Sequence, residues 1–293
     1  MHDLFARDSS VFRAVDHYCE HGEMTKLDSN EIASAMRAAE ELARYASERI
    51  IVHRPGAGEV WTKVNEADWV TAVDLEIEQH VRDELRRWFP QYGIVGEEFG
   101  ALNSTNAEEC RWFCDPIDGT TNFVHGLPWS SFSLALADED GLVIGVVCDP
   151  YRNELYSAVR GGGAKLNGFP IQCSNAASLV GGIVLSEQIG ARSWDGMLEM
   201  VRLLGDLQCV THFMGSSALA LANFGAGRAS AVALGAANPI DVAAGLIIAR
   251  ESGGLAKGAP GLDAVLTVDS SLNHAALIVG VRDSIGDLAQ ILS

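Results

Sequence analysis

The chain has 293 residues, 48% of them hydrophobic and 20% charged, a composition that supports one large core or two coupled ones in an ordinary globular protein. Lys and Arg number 21 against 39 Asp and Glu, and the resulting formal charge of -18 repels phosphodiester backbones and anionic membrane faces, so neither nucleic acid nor a membrane is expected as a partner. A small phosphorylated metabolite stays open, because bound cations can make an acidic site locally positive. The six cysteines (Cys19, Cys110, Cys114, Cys148, Cys173 and Cys209) are scattered with no Cys-x-x-Cys pair, and read as free thiols of a reducing compartment rather than as disulfides or a zinc site. Residues 1–28 carry no apolar run long enough for a secretion signal or a membrane span, so a cytoplasmic protein is expected.

In chain order, Asp28 and Glu31 form a capping-box pattern, and Ile32, Met36, Ala39, Ala43, Ala46 and Ile50 then recur at helical spacing, which predicts an amphipathic helix closed by Pro55-Gly56. A second helix is expected from Asp74 to Phe89, with Ile77, Val81, Leu85 and Trp88 on one face and Pro90 as its stop. Ile94-Val95 and Trp112-Phe113-Cys114 read as short strands. Apolar runs from Ser131 to Ala137, Leu142 to Cys148 and Leu155 to Val159, joined by tight polar turns, predict an antiparallel meander. Beyond Asn167-Gly168 the pattern alternates. Strands from Ile183 to Ser186, Cys209 to Phe213 and Ala229 to Ala233 interleave with helices from Trp194 to Leu204, Ser216 to Phe224 and Pro239 to Ser252, which predicts α/β layering. The expected organisation is an N-terminal extension (1–28), an α+β domain (29–170) and a C-terminal α/β domain (171–293), with the boundary near Gly168 to Asn175.

The segment richest in chemistry is Asp115-Pro116-Ile117-Asp118-Gly119-Thr120-Thr121-Asn122, read as a loop leaving the Trp112-Phe113-Cys114 strand. Two carboxylates so spaced can point at one place, Pro116 stiffens the chain, and Gly119 lets a ligand approach the backbone. The amides of Gly119 and Thr120, if they open a helix, would face a phosphate. Taken alone, the same residues are turn formers and read equally as a surface turn. Gly96-Glu97-Glu98 supplies another carboxylate at a strand end. Lys63 with Asp68-Trp69-Val70-Thr71-Ala72-Val73-Asp74, and Asn238-Pro239-Ile240-Asp241, place further acids at helix starts, where they also serve as caps.

These four segments, in this order and spacing, resemble the inositol monophosphatase family, whose pattern is a Lys, then Asp-x-Val-Thr-x-x-Asp, Gly-Glu-Glu, Asp-Pro-Ile-Asp-Gly-Thr-Thr-Asn-Phe and an Asp-x-Ala-Ala-Gly helix. The likeness runs from about Glu31 to the end and is most specific from Asp115 to Gly126. It implies an α/β (α+β) fold, the layered αβαβα sandwich of the inositol monophosphatase and fructose-1,6-bisphosphatase type. It implies Mg2+-dependent hydrolysis of a small phosphate monoester by metal-activated water. Glu97, Asp115, the Ile117 carbonyl, Asp118 and Asp241 would hold two Mg2+, with Asp115 bridging, a third weaker ion near Glu97, and Mn2+ as a substitute. Asp74 and Thr120, with Glu97, would be catalytic, and Lys63 would lie near the site. Asp118, Gly119, Thr120, Gly215, Ser217 and Asp241 would contact substrate.

The charge argument agrees: acidic side chains so crowded would repel a phosphate dianion and one another unless divalent cations fill the cluster. Oxygen ligands with no paired His or Cys favour Mg2+ over zinc. A homodimer and inhibition by Li+ are further implications of the resemblance. Three positions depart from the inositol-specific enzymes: Leu234 replaces a Glu that binds substrate hydroxyls, His212 an Arg, and Ile240 a Trp. The alternatives are therefore phosphatases for histidinol phosphate, a sugar bisphosphate or a 3'-phosphonucleotide, and a noncatalytic phosphate- or metal-binding regulator. His125 is read as a structural rather than a catalytic histidine.

Overall fold

The computed structural model describes residues 27–53, 60–62, 69–102, 110–175, 178–188, 192–258, 277–281, 284 and 288. Residues 1–26 of the expected extension, Cys19, the Pro55-Gly56 helix stop, Lys63 and Asp68 lie outside the described residues.

Helix α1 (Ser29–Val52) starts where the sequence places it. Asp28 Oδ1 accepts the amides of Asn30 and Glu31 at 2.7 and 2.9 Å, and Glu31 returns the bond to the Asp28 amide at 2.9 Å. A small antiparallel pair, β1 (Val60–Thr62) and β2 (Trp69–Thr71), leads into α2 (Ala72–Trp88), whose N-cap is Thr71. The first large sheet is built from β3 (Gly93–Gly96), β4 (Gly100–Leu102), β5 (Cys110–Asp118), β6 (Ser131–Asp138), β7 (Gly141–Asp149), β8 (Glu154–Val159), β9 (Gly163–Leu166) and β10 (Phe169–Ile171), with the short helix α3 (Thr120–His125) between β5 and β6. Its eight strands lie in the order β10-β9-β8-β7-β6-β5-β3-β4, all antiparallel except β3 beside β5. The second part contains β11 (Ile183–Ser186), α4 (Met197–Asp206), β12 (Val210–Phe213), α5 (Ser217–Gly225), β13 (Ala231–Leu234), α6 (Pro239–Glu251), β14 (Leu255–Gly258) and β15 (Leu277–Gly280). It forms a five-stranded sheet in the order β12-β11-β13-β15-β14, with β12, β11 and β13 parallel and the last two antiparallel.

Side-chain alternation on the buried strands sorts the core into three clusters. Trp112, Leu134 and Ile144 face Leu42, Ile50, Ile77 and Leu85 of α1 and α2. Phe113, Ala135 and Val147 point the other way, onto α5 and α6 (Leu221, Phe224, Leu246, Ile247), whose far side meets Val232, Leu234 and Val279. Val184, Ala231 and Ile278 then cover Met200 and Leu204 of α4. The layers therefore run α/β/α/β/α, and the middle helix layer belongs to both sheets. Two glycines set its spacing. A Cβ on Gly145 of β7 would lie 2.7 Å from the Ala244 carbonyl, and one on Gly245 would lie 2.8 Å from the Ala218 carbonyl.

The structure corrects the expected loop at Asp115. Strand β5 continues through Asp118, paired with Ser133 at Asp115 and with Ser131 at Asp118, and its register shifts between them. Pro116 sits in that irregularity, where a residue lacking an N–H breaks no ladder bond that a regular strand would need. Asn167-Gly168, near the expected boundary, turns the β9–β10 hairpin with φ of 51° and 82°. The helix expected from Trp194 begins instead at Met197. The five described cysteines are free and buried, and among the described residues no helix is long and apolar enough to cross a membrane.

Candidate active site

Parallel pairing of β3 and β5 brings the first two acids together. Gly96 is opposite Cys114, so Glu97, leaving the end of β3, comes beside Asp115 within β5, and the Glu97 amide donates to the Cys114 carbonyl at 3.2 Å. Asp115 is 2% exposed, and its Oδ1 is buried with no hydrogen-bond partner. Burial first, then the negative charges of Glu97, Asp118 and Asp241 and a hydrogen bond with Glu97, hold its carboxyl well above the ordinary range. Asp241 reaches this group from the first turn of α6, where Pro239 opens the helix and Asn238 caps it by accepting the Ile240 amide at 3.2 Å. Asp115 thus lies in the field of three other carboxylates drawn from three segments of the chain.

Asp118 has a role that the sequence did not disclose. Its Oδ2 accepts from Ser216 Oγ at 2.5 Å and from the Ala218 amide at 2.8 Å, and its Oδ1 accepts the Ser217 amide at 3.3 Å. The carboxylate therefore docks on the N-terminus of α5, where orphan amides and the helix dipole favour negative charge. These bonds offset part of the burial that pushes Asp118 up to about 6. The arrangement is not yet a ligand cage: among the described residues no three His, Cys, Asp or Glu side chains are grouped to hold an ion. Glu97 and Asp115 share a hydrogen bond, while Asp118 is turned to the helix. The unpartnered Asp115 oxygen and the mutual repulsion around it are nevertheless what a divalent cation would relieve, and the all-oxygen donor set suits a hard ion.

Asp74, fully buried, accepts from the amide of Thr71 at 2.9 Å and from its hydroxyl, closing the capping box of α2. Its Oδ1 lies 3.5 Å from Thr120 Oγ1, which donates to the Ile117 carbonyl at 2.9 Å. Gly119, at φ 90°, opens α3 with no side-chain cap. A Cβ there would sit 2.7 Å from the Gly215 carbonyl, so only glycine lets the two loops meet. Gly215 itself has φ 72°, and Asn122 Nδ2 ties the loops by donating to the Trp129 and Met214 carbonyls at 2.7 and 2.6 Å. Ser217 is buried beside them.

Four contributors were missed in the sequence. Ser216 begins an apolar helical run and is thereby readable as a cap, but its bond to Asp118 is not. Asn122 lies inside the quoted motif without a stated role. Glu187 stands at a strand end, the same signal that marked Glu97; its Oε1 accepts from Ser217 Oγ, and burial plus the nearby Asp118 push it up to about 7. Glu78 is a fully buried residue of α2 whose carboxylate accepts Arg82 Nε at 2.8 Å and the amides of Glu98 and Phe99 at 2.7 and 3.0 Å, clamping the turn that bears Glu97. Of the departures, Leu234 is buried in β13, Ile240 is half-buried, and His212 is an exposed residue of edge strand β12 that helps line a 540 Å3 cavity. His125 is exposed and bonds the Thr121 carbonyl locally.

The fold and these residues together define a layered α/β protein with an acidic site between its two sheets. A sequence model of the inositol monophosphatase family matches residues 23–277, and the chain belongs to that family. The chain is 34% identical to the Nus factor SuhB of Escherichia coli K12 over 75% of its own length and 85% of that protein. It is 36% identical to a fructose-1,6-bisphosphatase/inositol-1-monophosphatase of Thermotoga maritima over 76% and 84% of the respective lengths. The crystal structure of the suppressor protein SuhB from Bartonella henselae superposes with a TM-score of 0.79 at 26% identity, covering 89% of this chain and 98% of that one.

Proposed function

We propose that this protein is a Mg2+-dependent phosphatase acting on a small phosphate monoester. The observation that carries the reading is the unpartnered, buried Asp115 oxygen among three other carboxylates, close to an Asp74–Thr120 contact. Glu97, Asp115, Asp118, Asp241 and the Ile117 carbonyl would hold two or three Mg2+, or Mn2+ in their place. When bound, the ions supply positive charge to the phosphoryl and leaving oxygens.

The protein's own part is positional. Thr71 fixes Asp74, and Asp74 with Thr120 orients a water and takes up its proton as its oxygen attacks phosphorus. The Gly119 and Thr120 amides hold phosphoryl oxygens, and the Gly215–Ser217 loop borders the rest of the substrate. The phosphorus–ester oxygen bond breaks, and the leaving alcohol takes its proton from solvent. Inositol phosphate, histidinol phosphate, a sugar bisphosphate and a 3'-phosphonucleotide are the candidate substrates, and the Thermotoga maritima relative's name favours the first and third. A cytoplasmic homodimer inhibited by Li+ is part of the same proposal.

A second reading, a noncatalytic regulator, is favoured by the name Nus factor carried by the Escherichia coli relative. Retention of the Asp74–Thr120 contact argues for turnover, since phosphate or metal binding alone needs no water-orienting pair. Phosphate release from a monoester panel, with and without Mg2+, decides between them. Metal-dependent release supports the phosphatase, and no release from any ester by protein that binds Mn2+ supports the regulator.

A further inference from the structure

Strands β12, β11 and β13 are parallel, and in such sheets ligands gather beyond the carboxyl ends of the strands. Three segments leave that edge here: Glu187 after β11, Met214 to Ser217 after β12, and the run to Asp241 after β13. Glu187 and Ser217 are joined by the bond from Ser217 Oγ to Glu187 Oε1. Ser217 in turn gives its amide to Asp118, and Asp118 precedes Gly119. Contacts therefore lead from the phosphoryl end of the proposed site, through Asp118 and Ser217, to the Glu187 carboxylate.

Glu187 is held, not loose. Trp194 packs over Gly235 so closely that a Cβ there would fall inside the indole, and its Nε1 donates to the Glu187 carbonyl at 3.0 Å. The side chain is half-buried, and Ser217 engages one carboxylate oxygen. The other oxygen has no hydrogen-bond partner among the described residues, yet it is not one of the buried unsatisfied atoms, so it borders open space. Neither the capping of α5, which Asp118 and Ser216 accomplish, nor any ion pair among the described residues explains a carboxylate at this place. A preorganised acceptor one contact beyond Asp118 is suited to read a ligand.

We infer that Glu187, oriented by Ser217 and Trp194, is the specificity-determining residue for the leaving group, accepting a hydrogen bond from a hydroxyl or ammonium near the scissile ester. The inference rests on the phosphatase reading. A site built to accept such a donor discriminates strongly against an ester that lacks it.

The test compares kcat/KM, with Mg2+, for glycerol 2-phosphate (hydroxyl donor), ethanolamine phosphate (ammonium donor) and ethyl phosphate (no donor). Wild type, Glu187→Gln and Glu187→Met are assayed, with thermal unfolding as the check on folding. Wild type should prefer at least one donor-bearing ester. Glu187→Met should reduce that preference about 10-fold or more, chiefly through KM. Glu187→Gln, which keeps a neutral acceptor, should spare a hydroxyl preference more than an ammonium preference, and it carries the test alone if the Met variant does not fold. A preference unchanged in folded variants, or equal loss on all three esters, overturns the assignment while leaving the phosphatase reading standing. Wild type that hydrolyses none of the three, or shows no preference among them, overturns the assignment; the phosphatase reading falls with it only if the full monoester panel also gives no release.

Discussion

Glu78 touches no substrate in the proposed reading, yet the structure makes it the support for Glu97. Its side chain is fully buried and that of Arg82 is 7% exposed, so the pair cannot relax into water. Both carboxylate oxygens are used: Oε1 by Arg82 Nε and the Phe99 amide, Oε2 by the Glu98 amide. Arg82 extends the clamp to the Gly100 carbonyl. Glu78→Gln keeps the shape but leaves a buried guanidinium without its counter-charge and sets an NH2 against either Arg82 or an amide donor. Breaking a buried pair from one side costs about 3–5 kcal/mol. In urea that corresponds to a midpoint lowered by roughly 1–5 M at slopes of about 1–3 kcal/mol/M.

The turn bearing Glu97 also loses its anchor, so Mn2+ binding measured calorimetrically without substrate should weaken about 10-fold, as for other supports behind a ligand. Glu78→Leu/Arg82→Met, which removes both charges, should recover much of the stability but not the Mn2+ affinity. A loss below about 1 kcal/mol for Glu78→Gln, with Mn2+ affinity unchanged, would refute the clamp.

Protonation gives a second prediction. Asp118 and Glu187 are raised in the fold to about 6 and about 7, above ordinary values of 3.8 and 4.5, so the folded state holds their protons longer than the unfolded chain does. Metal-free protein should therefore lose stability as pH rises from about 4 to about 7, by a few kcal/mol at ~1.4 kcal/mol per pH unit. The midpoint of unfolding in EDTA should be higher at pH 5 than at pH 8, whereas the gain from Mg2+ should grow with pH; the reverse order in EDTA would contradict the burial of these groups. Asp118→Asn should abolish Mg2+-dependent hydrolysis and also cost about 1–3 kcal/mol, because one acceptor facing the Ser216 hydroxyl and the Ser217 and Ala218 amides becomes a donor. A variant with wild-type unfolding would show that the cap on α5 contributes nothing. Gly119→Ala, at positive φ with the Gly215 carbonyl in the way, should lower stability by about 1–3 kcal/mol, and unfolding as stable as wild type would refute close contact between the loops.

Local chemistry was legible in the sequence and nonlocal chemistry was not. The start of α1 could be read because Asp28 and Glu31 bond within three residues of each other. The course of β5 could not, since Asp, Pro and Gly favour turns in isolation and only pairing with Ser131 and Ser133 keeps Asp115 to Asp118 extended. Trp194 fits a helical period, but its indole is committed to Gly235 and its Nε1 to Glu187, and α4 begins only at Met197, after Gly196 at φ 87°. At the site, the motif residues could be named from their order. The orientation of Asp118 depends on partners 98 to 100 residues away, and the Glu78 clamp on amides 20 and 21 residues away, distances at which a single sequence carries no signal.

Convergence of the acids also has a packing cause. Asp241 is carried by α6 and the groups that bind Asp118 by α5, so the distance between these helices bears on where Asp241 stands relative to β5. Gly245 lets α6 close on the Ala218 carbonyl of α5, and Gly145 lets β7 close on the Ala244 carbonyl of α6. Side chains at either position would push apart the layers on which the acids are mounted. The mutual repulsion of the carboxylates works in the same direction, so the dense apolar packing of this middle layer is what holds them together.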